Sequence, residues 1–575
     1  MKRTNMKLTI TAASVAITLL AFSFNRASRN DRYRPGDWVS YGVSKFISSV
    51  AVGPEYAYFG STTGVLRYDA IRRRWSAPYT TSDGLDGNLI TAVGFDPHTS
   101  FLWCATENGL SWQHPSSLRW TNYSKTEIGI FPNEDVLSIG FNADANWFET
   151  RTQLFKQGKF GNIFLPAGNE IPNDIVWFGQ RREPSPYPLP QFFMPGGFLY
   201  EPARNVASNH LRAFGAVQDN RLRRAHITSA LEDRWGNMWL GTWGLNAMHA
   251  ELTLEQAELL RFGLANQRVD ALLFDDEGLW IGGLNPELSR PNDESARGIT
   301  HWRDPQTGYS RSDEWKYFET YYNLEISSDE VRNFAALDNK LYCATENGVA
   351  VYDQKKDRWR RLLSTDGLAD KRVNDVAVYN GYLYAATDLG LNRVEIKTIG
   401  TDTLKIIELE IDRLRHFRII DLERQKNLLW IATERGPYVY DMAKGAGGYL
   451  NDPEGPRDEY TEHISFADSV VWIGTDYGLE AFDTINKKWL PAPARRRFTD
   501  ARINCVMAGP DVVWVGTNRG VLKYNRARKD WTQYTTEDGL LDDHVNAIVM
   551  NEDLVWFGTD LGITVFRWRA FHDFD

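Results

Sequence analysis

Cysteine is scarce in this chain of 575 residues, with three in all, and methionine and histidine number only 8 and 10. An odd count with no paired spacing gives no disulfide framework and no Cys/His metal site. Charge of one sign is also missing. The net charge is -10, and basic residues come only in short clusters such as Arg72-Arg73-Arg74 and Arg495-Arg496-Arg497, read here as solvated strand ends. A nucleic-acid surface is therefore not expected. Long apolar runs are absent except at the start, where Lys2, Arg3 and Lys7 precede an apolar stretch from Leu8 to Phe24, with Ala21 and Ser23 as small residues. Residues 1–29 accordingly read as an export signal or, at the short limit of a membrane span, an uncleaved anchor. No Cys follows that stretch, which excludes a lipoprotein anchor.

What the chain has in abundance is aromatic residues, 21 Trp, 25 Tyr and 29 Phe, and they recur with a period. Trp472-Ile473-Gly474-Thr475-Asp476-Tyr477-Gly478 returns as Trp514 to Gly520 and as Trp556 to Gly562, about 42 residues apart. Earlier copies stand at Trp430, Tyr384, Tyr342, Trp280, Trp239, Trp103 and Tyr58. Around each copy lie short apolar runs separated by tight turns. In the last repeat these are Val545 to Met550, Leu554 to Gly558 and Ile563 to Arg567, with Gly562 at a reversal requiring positive φ and the Thr559 hydroxyl available to its backbone. A fourth run, Trp531 to Thr536, ends in a Gly-centred turn, so each repeat makes four strands. The fold class is all-β, as two tandem β-propellers of about twelve four-stranded blades.

A second phrase, Tyr79-Thr80-Thr81-Ser82-Asp83-Gly84-Leu85, returns as Tyr534 to Leu540 and, worn, as Ser364 to Leu368. Together the two phrases resemble the two-component-regulator propeller repeat, found in periplasmic sensor propellers of bacterial hybrid histidine kinases. The resemblance covers nearly all of the chain after the N-terminus. It implies an exported sensory or binding module, while the kinase such proteins carry is not expected here, because the chain reaches Asp575 just after its last repeat.

Twelve blades exceed one ordinary ring. The longest gap between good copies runs from Gly283 to Leu341 and holds the polar stretch Asn285 to Arg297. This places an N-terminal propeller at 36–300 and a C-terminal one at 310–570, split six and six or five and seven. Trp38 to Tyr41 and Trp315 to Phe318 read as orphan outer strands able to close a ring. The Pro-rich stretch from Ile171 to Asn220 reads as a degenerate blade.

Candidate site residues come from the turns around the channel mouth. The first variable position after the Thr reads Glu346, Asp388, Glu434, Asp476, Asn518 and Asp560, a nearly acidic ring able to hold a cation or sugar hydroxyls, or simply to cap its turns. The second position reads Asn347, Leu389, Arg435, Tyr477, Arg519 and Leu561, whose diversity points to ligand contact. Asn333, Asn374, Asn504 and Asn546, at the inner-strand starts, either face the mouth or bridge neighbouring blades. In the N-terminal ring, whose turns carry Thr62, Thr63, Glu107 and Asn108, Trp243 is the exposed aromatic suited to a sugar face. The functional expectation is a non-enzymatic, exported binding protein for a glycan or a partner protein, with no cofactor, no metal and no catalytic residue assigned. The alternative is a secreted carbohydrate-active enzyme using a carboxylate pair, for which Asp270, Asp375 and Asp421 are candidates that no motif selects. His463 and His544 read as structural.

Overall fold

The computed structural model describes residues 33–570 apart from 115, 117, 169–170, 182–188, 191, 202–213, 221, 285–297, 306–307, 321–322, 410, 412–413, 451–459, 477 and 492–500. Residues 1–29, read from the sequence as an export signal or anchor, lie outside the described residues. Among those described, no helix is long and apolar enough to cross a membrane. Among the described residues strands dominate, arranged in eleven antiparallel sheets. We number them as blades in chain order.

Blades 1 to 4 have inner strands Ile47–Val52, Ile90–Phe95, Ser138–Phe141 and Arg224–Glu232. Blades 5 to 11 have inner strands Ala271–Asp275, Val331–Leu337, Val373–Tyr379, Ile419–Gln425, Thr461–Ala467, Ile503–Ala508 and Val545–Asn551. In this second group each inner strand lies beside the next, and that of blade 11 lies beside that of blade 5, so seven blades form a closed circle. The outer strand of blade 11 is Trp38–Tyr41, paired antiparallel with Gly562–Phe566 from the other end of the chain. The orphan strand read from the sequence thus closes the C-terminal ring.

The expected boundary at 300–310 falls inside blade 5, which runs Ala271–Asp275, Gly278–Gly282, Ile299–Trp302 and Trp315–Phe318. Trp315–Phe318 is the outer strand of its own blade rather than an orphan. The gap in the repeats falls between the second strand of that blade, ending at Gly282, and the third, beginning at Ile299, and Asn285 to Arg297 themselves lie outside the described residues. Among its described residues, the stretch from Ile171 to Asn220 gives no sheet of its own. Its described strands extend the inner edges of neighbours: Val176–Gly179 pairs with the inner strand of blade 3, and Leu199–Glu201 and Ala216–Gln218 add to blade 4.

The two groups of blades share one core. Trp75, Trp239, Phe262, Trp302, Trp315 and Trp556 are all almost fully buried in a single cluster drawn from blades 1, 4, 5 and 11 and their linkers. Trp75 stacks on Phe262 at 4.8 Å, Trp302 on Trp315 at 4.3 Å, and Tyr41 meets Trp302 at 4.8 Å. Each such ring removes about 150 Å² or more from water, worth about 4 kcal/mol at about 25 cal/mol per Å². Tyr309–Ser310, from the turn between the last two strands of blade 5, adds to the outer strand of blade 1 opposite Trp75 and Ser76. The cysteines, Cys104, Cys343 and Cys505, are free and buried in three different blades, and burial pushes all three thiols up.

Candidate functional site

The mouth of the C-terminal ring is built from the turns joining second to third strands and from the starts of the inner strands. Six turns repeat one hydrogen bond. The hydroxyl of Thr345, Thr387, Thr433, Thr475, Thr517 or Thr559 donates to the carbonyl of the Gly three residues on, at 2.7–3.0 Å. The glycine stands at positive φ, 143° at Gly562, where a side chain would strike the Tyr41 carbonyl. The recurring Thr and Gly are therefore architectural, and the two residues between them are presented to the mouth.

The inner strands of blades 6 to 11 each open on a fully buried residue: Val331, Val373, Ile419, Thr461, Ile503 and Val545. A β-bulge follows each of these residues, so the two residues after it split their roles. Directly after the buried residue come Arg332, Asn374, Ile420, Glu462, Asn504 and Asn546. One further on come Asn333, Asp375, Asp421, His463, Cys505 and Ala547. Asn333 therefore does not belong to the ring expected from the sequence. It sits one position deeper, where its side chain accepts from the Phe334 amide at 2.8 Å.

The other three asparagines hold the mouth together. Asn374 donates to the Ile419 carbonyl of the next blade at 2.7 Å and to Asp388 at 2.8 Å. Asn504 donates to the Val545 carbonyl of the next blade at 3.0 Å. Asn546 donates to Asp560 at 2.8 Å. These are bonds between and within blades, the second of the two roles open to them.

The acidic ring is largely neutralised by a basic one that the sequence reading missed. Immediately before the buried inner-strand residue stand Arg268, Arg372, Arg418, Arg502 and His544. Arg372 reaches back to Glu346 of the preceding blade at 2.8 Å and to Asp388 of its own at 3.5 Å. Arg418 reaches back to Asp388 at 3.3 Å, and Arg268 back to Asp560 at 3.6 Å across the closure between blades 5 and 11. His544 Nδ1 lies 2.8 Å from Asp560, and Arg332 holds Glu346. The same belt takes up Asp270, gripped by Arg268 at 2.7 Å and by the Leu284 amide at 2.8 Å.

Deeper in the channel the carboxylates staple blades. Asp375 accepts the Leu422 amide of blade 8 at 2.6 Å and the Val376 amide at 2.7 Å; Asp421 accepts the Ile464 amide of blade 9 at 2.7 Å. Burial and then the neighbouring Asp421 push the Asp375 carboxyl well above the usual range. Glu423 lines the channel beside them, and burial followed by the Asp421 charge raises it to about 8. His463 Nδ1 lies 3.6 Å from Asp421. Among the described residues no group of three or more His, Cys, Asp or Glu has the geometry for a metal ion.

Blades 8 to 10 break the belt. The position before the inner strand of blade 9 is Tyr460 rather than Arg, and Glu434 on the blade 8 turn has no ion pair among the described residues. Glu434, Arg435, Asp476, Asn518 and Arg519 are all exposed. Arg435 lies with its guanidinium 3.9 Å over the Phe417 ring. Neither Arg435 nor Arg519 meets a carboxylate among the described residues, and Arg502 beside them pairs with Glu462. Tyr477 lies outside the described residues.

At the mouth of blades 1 to 4, Glu107 accepts the Leu89 amide at 3.0 Å and Asn108 donates to the Asp86 carbonyl at 2.6 Å, both serving their loops. Trp243 is 43% exposed, with its ring 5.3 Å from that of Phe46.

With this geometry in hand, comparison with known proteins is informative at the level of repeat and fold. A model of the two component regulator propeller matches residues 222–244, spanning the first two long strands of blade 4. The chain carries the two component regulator propeller repeat. No curated protein matches. Among solved structures, this propeller is similar to PorZ, described as an essential bacterial surface component of the type-IX secretion system of Porphyromonas gingivalis. The two share 12% identity at a TM-score of 0.58, over 92% of this chain and 87% of PorZ. The extracellular domain of the putative hybrid two component system BT4673 from B. thetaiotaomicron matches at 16% identity and TM-score 0.43, over 90% of this chain and 68% of that one. That of BT3049 matches at 15% identity and TM-score 0.40, over 91% and 75%. At such identities the likeness to PorZ is one of fold.

Proposed function

We propose that this propeller protein is an exported, non-enzymatic binding module that takes its ligand, a glycan or a partner molecule, at the mouth of the C-terminal ring over blades 8 to 10. One observation carries the reading. Arg268, Arg332, Arg372, Arg418 and Arg502 on this mouth are bound to carboxylates, whereas Arg435 and Arg519 are exposed and meet none among the described residues. An arginine presents a planar fork of donors matched to carboxylate, sulfate or vicinal hydroxyl groups. The Thr433 and Thr517 hydroxyls, at 3.1 and 3.0 Å from the Arg435 and Arg519 amides, fix the turns that carry these two side chains. The surface location of PorZ fits export.

The candidate carboxylates for glycoside cleavage are engaged within the fold. Asp375 and Asp421 accept backbone amides of adjoining blades, and Asp270 is gripped by Arg268. The test uses the chain from Asn30 onward with a panel of plant, algal and bacterial oligosaccharides, reading thermal shift and product masses from the same wells. A ligand at a hundredfold over its Kd adds about 2.7 kcal/mol to stability. The expected result is a rise in Tm with intact sugar that is lost in Arg435→Ala/Arg519→Ala. New product masses, or a shift indifferent to that double substitution, would overturn the reading.

A further inference from the structure

Both channel mouths open on the same side of the molecule. The chain crosses between the two groups of blades twice, at 42–46 and at 261–268, and both crossings lie at mouth level. There the Leu264 amide donates to the Gly42 carbonyl at 2.9 Å, and the hydroxyl of Thr63, on a mouth turn of blade 1, donates to the Val43 carbonyl at 3.3 Å. At the same level Glu319, just past the outer strand of blade 5, takes Lys45 at 3.2 Å and Arg223 at 2.7 Å, the residues leading into blades 1 and 4. On the opposite side, the base turn of blade 5 meets the base of blade 1, where Trp75 Nε1 donates to the Ser312 hydroxyl at 3.3 Å. Mouth touches mouth and base touches base, so the two openings form one face.

On that face the N-terminal mouth carries an aromatic platform. Trp243 ends the second strand of blade 4, and the turn after it is fixed by Gly244 and Asn246, whose amides donate to the Lys45 carbonyl at 2.8 and 3.2 Å. The Thr242 hydroxyl donates to the Asn246 carbonyl at 2.6 Å, and the Asn246 side chain to the Phe262 carbonyl at 2.9 Å. Phe46 supports the indole from one side. An exposed indole on so rigid a turn is a surface for the apolar face of a sugar ring, which needs no charge and little ordering.

Resting on the reading above, we infer that the ligand is an extended acidic polysaccharide lying across both mouths, its carboxylate or sulfate groups on Arg435 and Arg519 and a sugar ring on Trp243. Blades 5 and 11 stand at the junction, blade 10 with Arg519 adjoins blade 11, and blade 8 with Arg435 lies on the far side of the ring, so only a long chain can reach Trp243 and both arginines. A short acidic sugar would use the arginines alone.

The test is calorimetric titration of the chain from Asn30 with polygalacturonate, alginate and dextran sulfate, against their short oligomers and against neutral dextran. The expected result is that at least one acidic polymer binds at least tenfold more tightly than its disaccharide. Trp243→Ala should weaken polymer binding about five- to tenfold, leave disaccharide binding and Tm unchanged, and be rescued by Trp243→Tyr. An unaffected polymer affinity in Trp243→Ala overturns the span while leaving the arginine site standing. Equal binding of neutral dextran, or no binding of any acidic polymer, overturns the inference. A neutral sugar caught in the thermal-shift panel would then still support the module's proposed function.

Discussion

Two arcs of the same seven-bladed mouth obey opposite rules. From blade 11 through 5 and 6 to the start of blade 8, each arginine or histidine before an inner strand binds a carboxylate on its own or the preceding turn, so charge is spent in closing the ring. From blade 8 to blade 10, Tyr460 replaces the arginine, the turn carboxylates stand exposed, and arginine has moved onto the turns themselves. The same repeat scaffold, with arginines added at the turn tips of blades 8 and 10 and the strand-start arginine lost in blade 9, exchanges a fastening for a presented charge. Surface ion pairs add little each, so the closed arc loses little stability by giving up a pair, and the open arc is free to vary.

That contrast can be broken in several ways. The largest effect is expected from Arg435→Ala/Arg519→Ala, which should cost ligand affinity tenfold or more per lost charged bond while Tm stays within a degree or so, read by calorimetry and thermal scanning. Next comes Glu423→Gln in the channel below the open arc. The native carboxyl, raised to about 8, keeps its proton where the unfolded chain has released it. Stability therefore falls as pH rises through the window from the ordinary carboxylate range to about 8, by at most about 1.4 kcal/mol per pH unit. The glutamine variant should lose that slope, so its Tm advantage grows from about pH 5 to about pH 8 and levels off above. An advantage that does not change with pH would place Glu423 outside the channel's low-dielectric region.

A smaller effect is expected in the closed arc. Arg372→Ala releases Glu346 and Asp388 together, but the side chain is 40% exposed, so the loss should be about 1 kcal/mol or less in denaturant titration, reduced further by salt. Ligand affinity should not move. The smallest is a conversion of one arc into the other: Tyr460→Arg supplies the missing partner for Glu434, as Arg418 serves Asp388. It should gain about 0.5 kcal/mol and vanish in high salt. A stability gain that survives salt would mean that packing, not pairing, had changed.

Much of this was legible in the sequence, and the rest failed for identifiable reasons. The Thr and Gly of each turn and the closing role of Trp38 to Tyr41 could be read because each is a local or repeated requirement. The acidic turns could be read, but not their partners. Arg268, Arg372 and Arg418 stand just outside the recurring phrase, and the signal was there as a basic residue before five β-branched strand starts, Val269, Val373, Ile419, Ile503 and Val545. Asn333 was misplaced because a bulge shifts roles by one residue without changing spacing. The blade 5 boundary was misplaced because the residues between Gly282 and Ile299, inside one blade, leave the same gap in the repeats as a linker between rings. Around Ile171 to Asn220 the residual strands joined existing sheets, which no periodicity announces.

The pairing of Trp38–Tyr41 with Gly562–Phe566 sets an order of events in time. During synthesis this first strand emerges long before the blade it completes, and blades 1 to 4 stand in the chain between the two halves of that fastening. The larger ring can close only when its last residues arrive, across a contact separated by more than five hundred residues, the kind that forms slowest. Until then the unpaired edges of Trp38–Tyr41 and of Gly562–Phe566 are open to strangers. Assembly of the whole molecule is therefore a race between its own two ends and the strand edges of its neighbours.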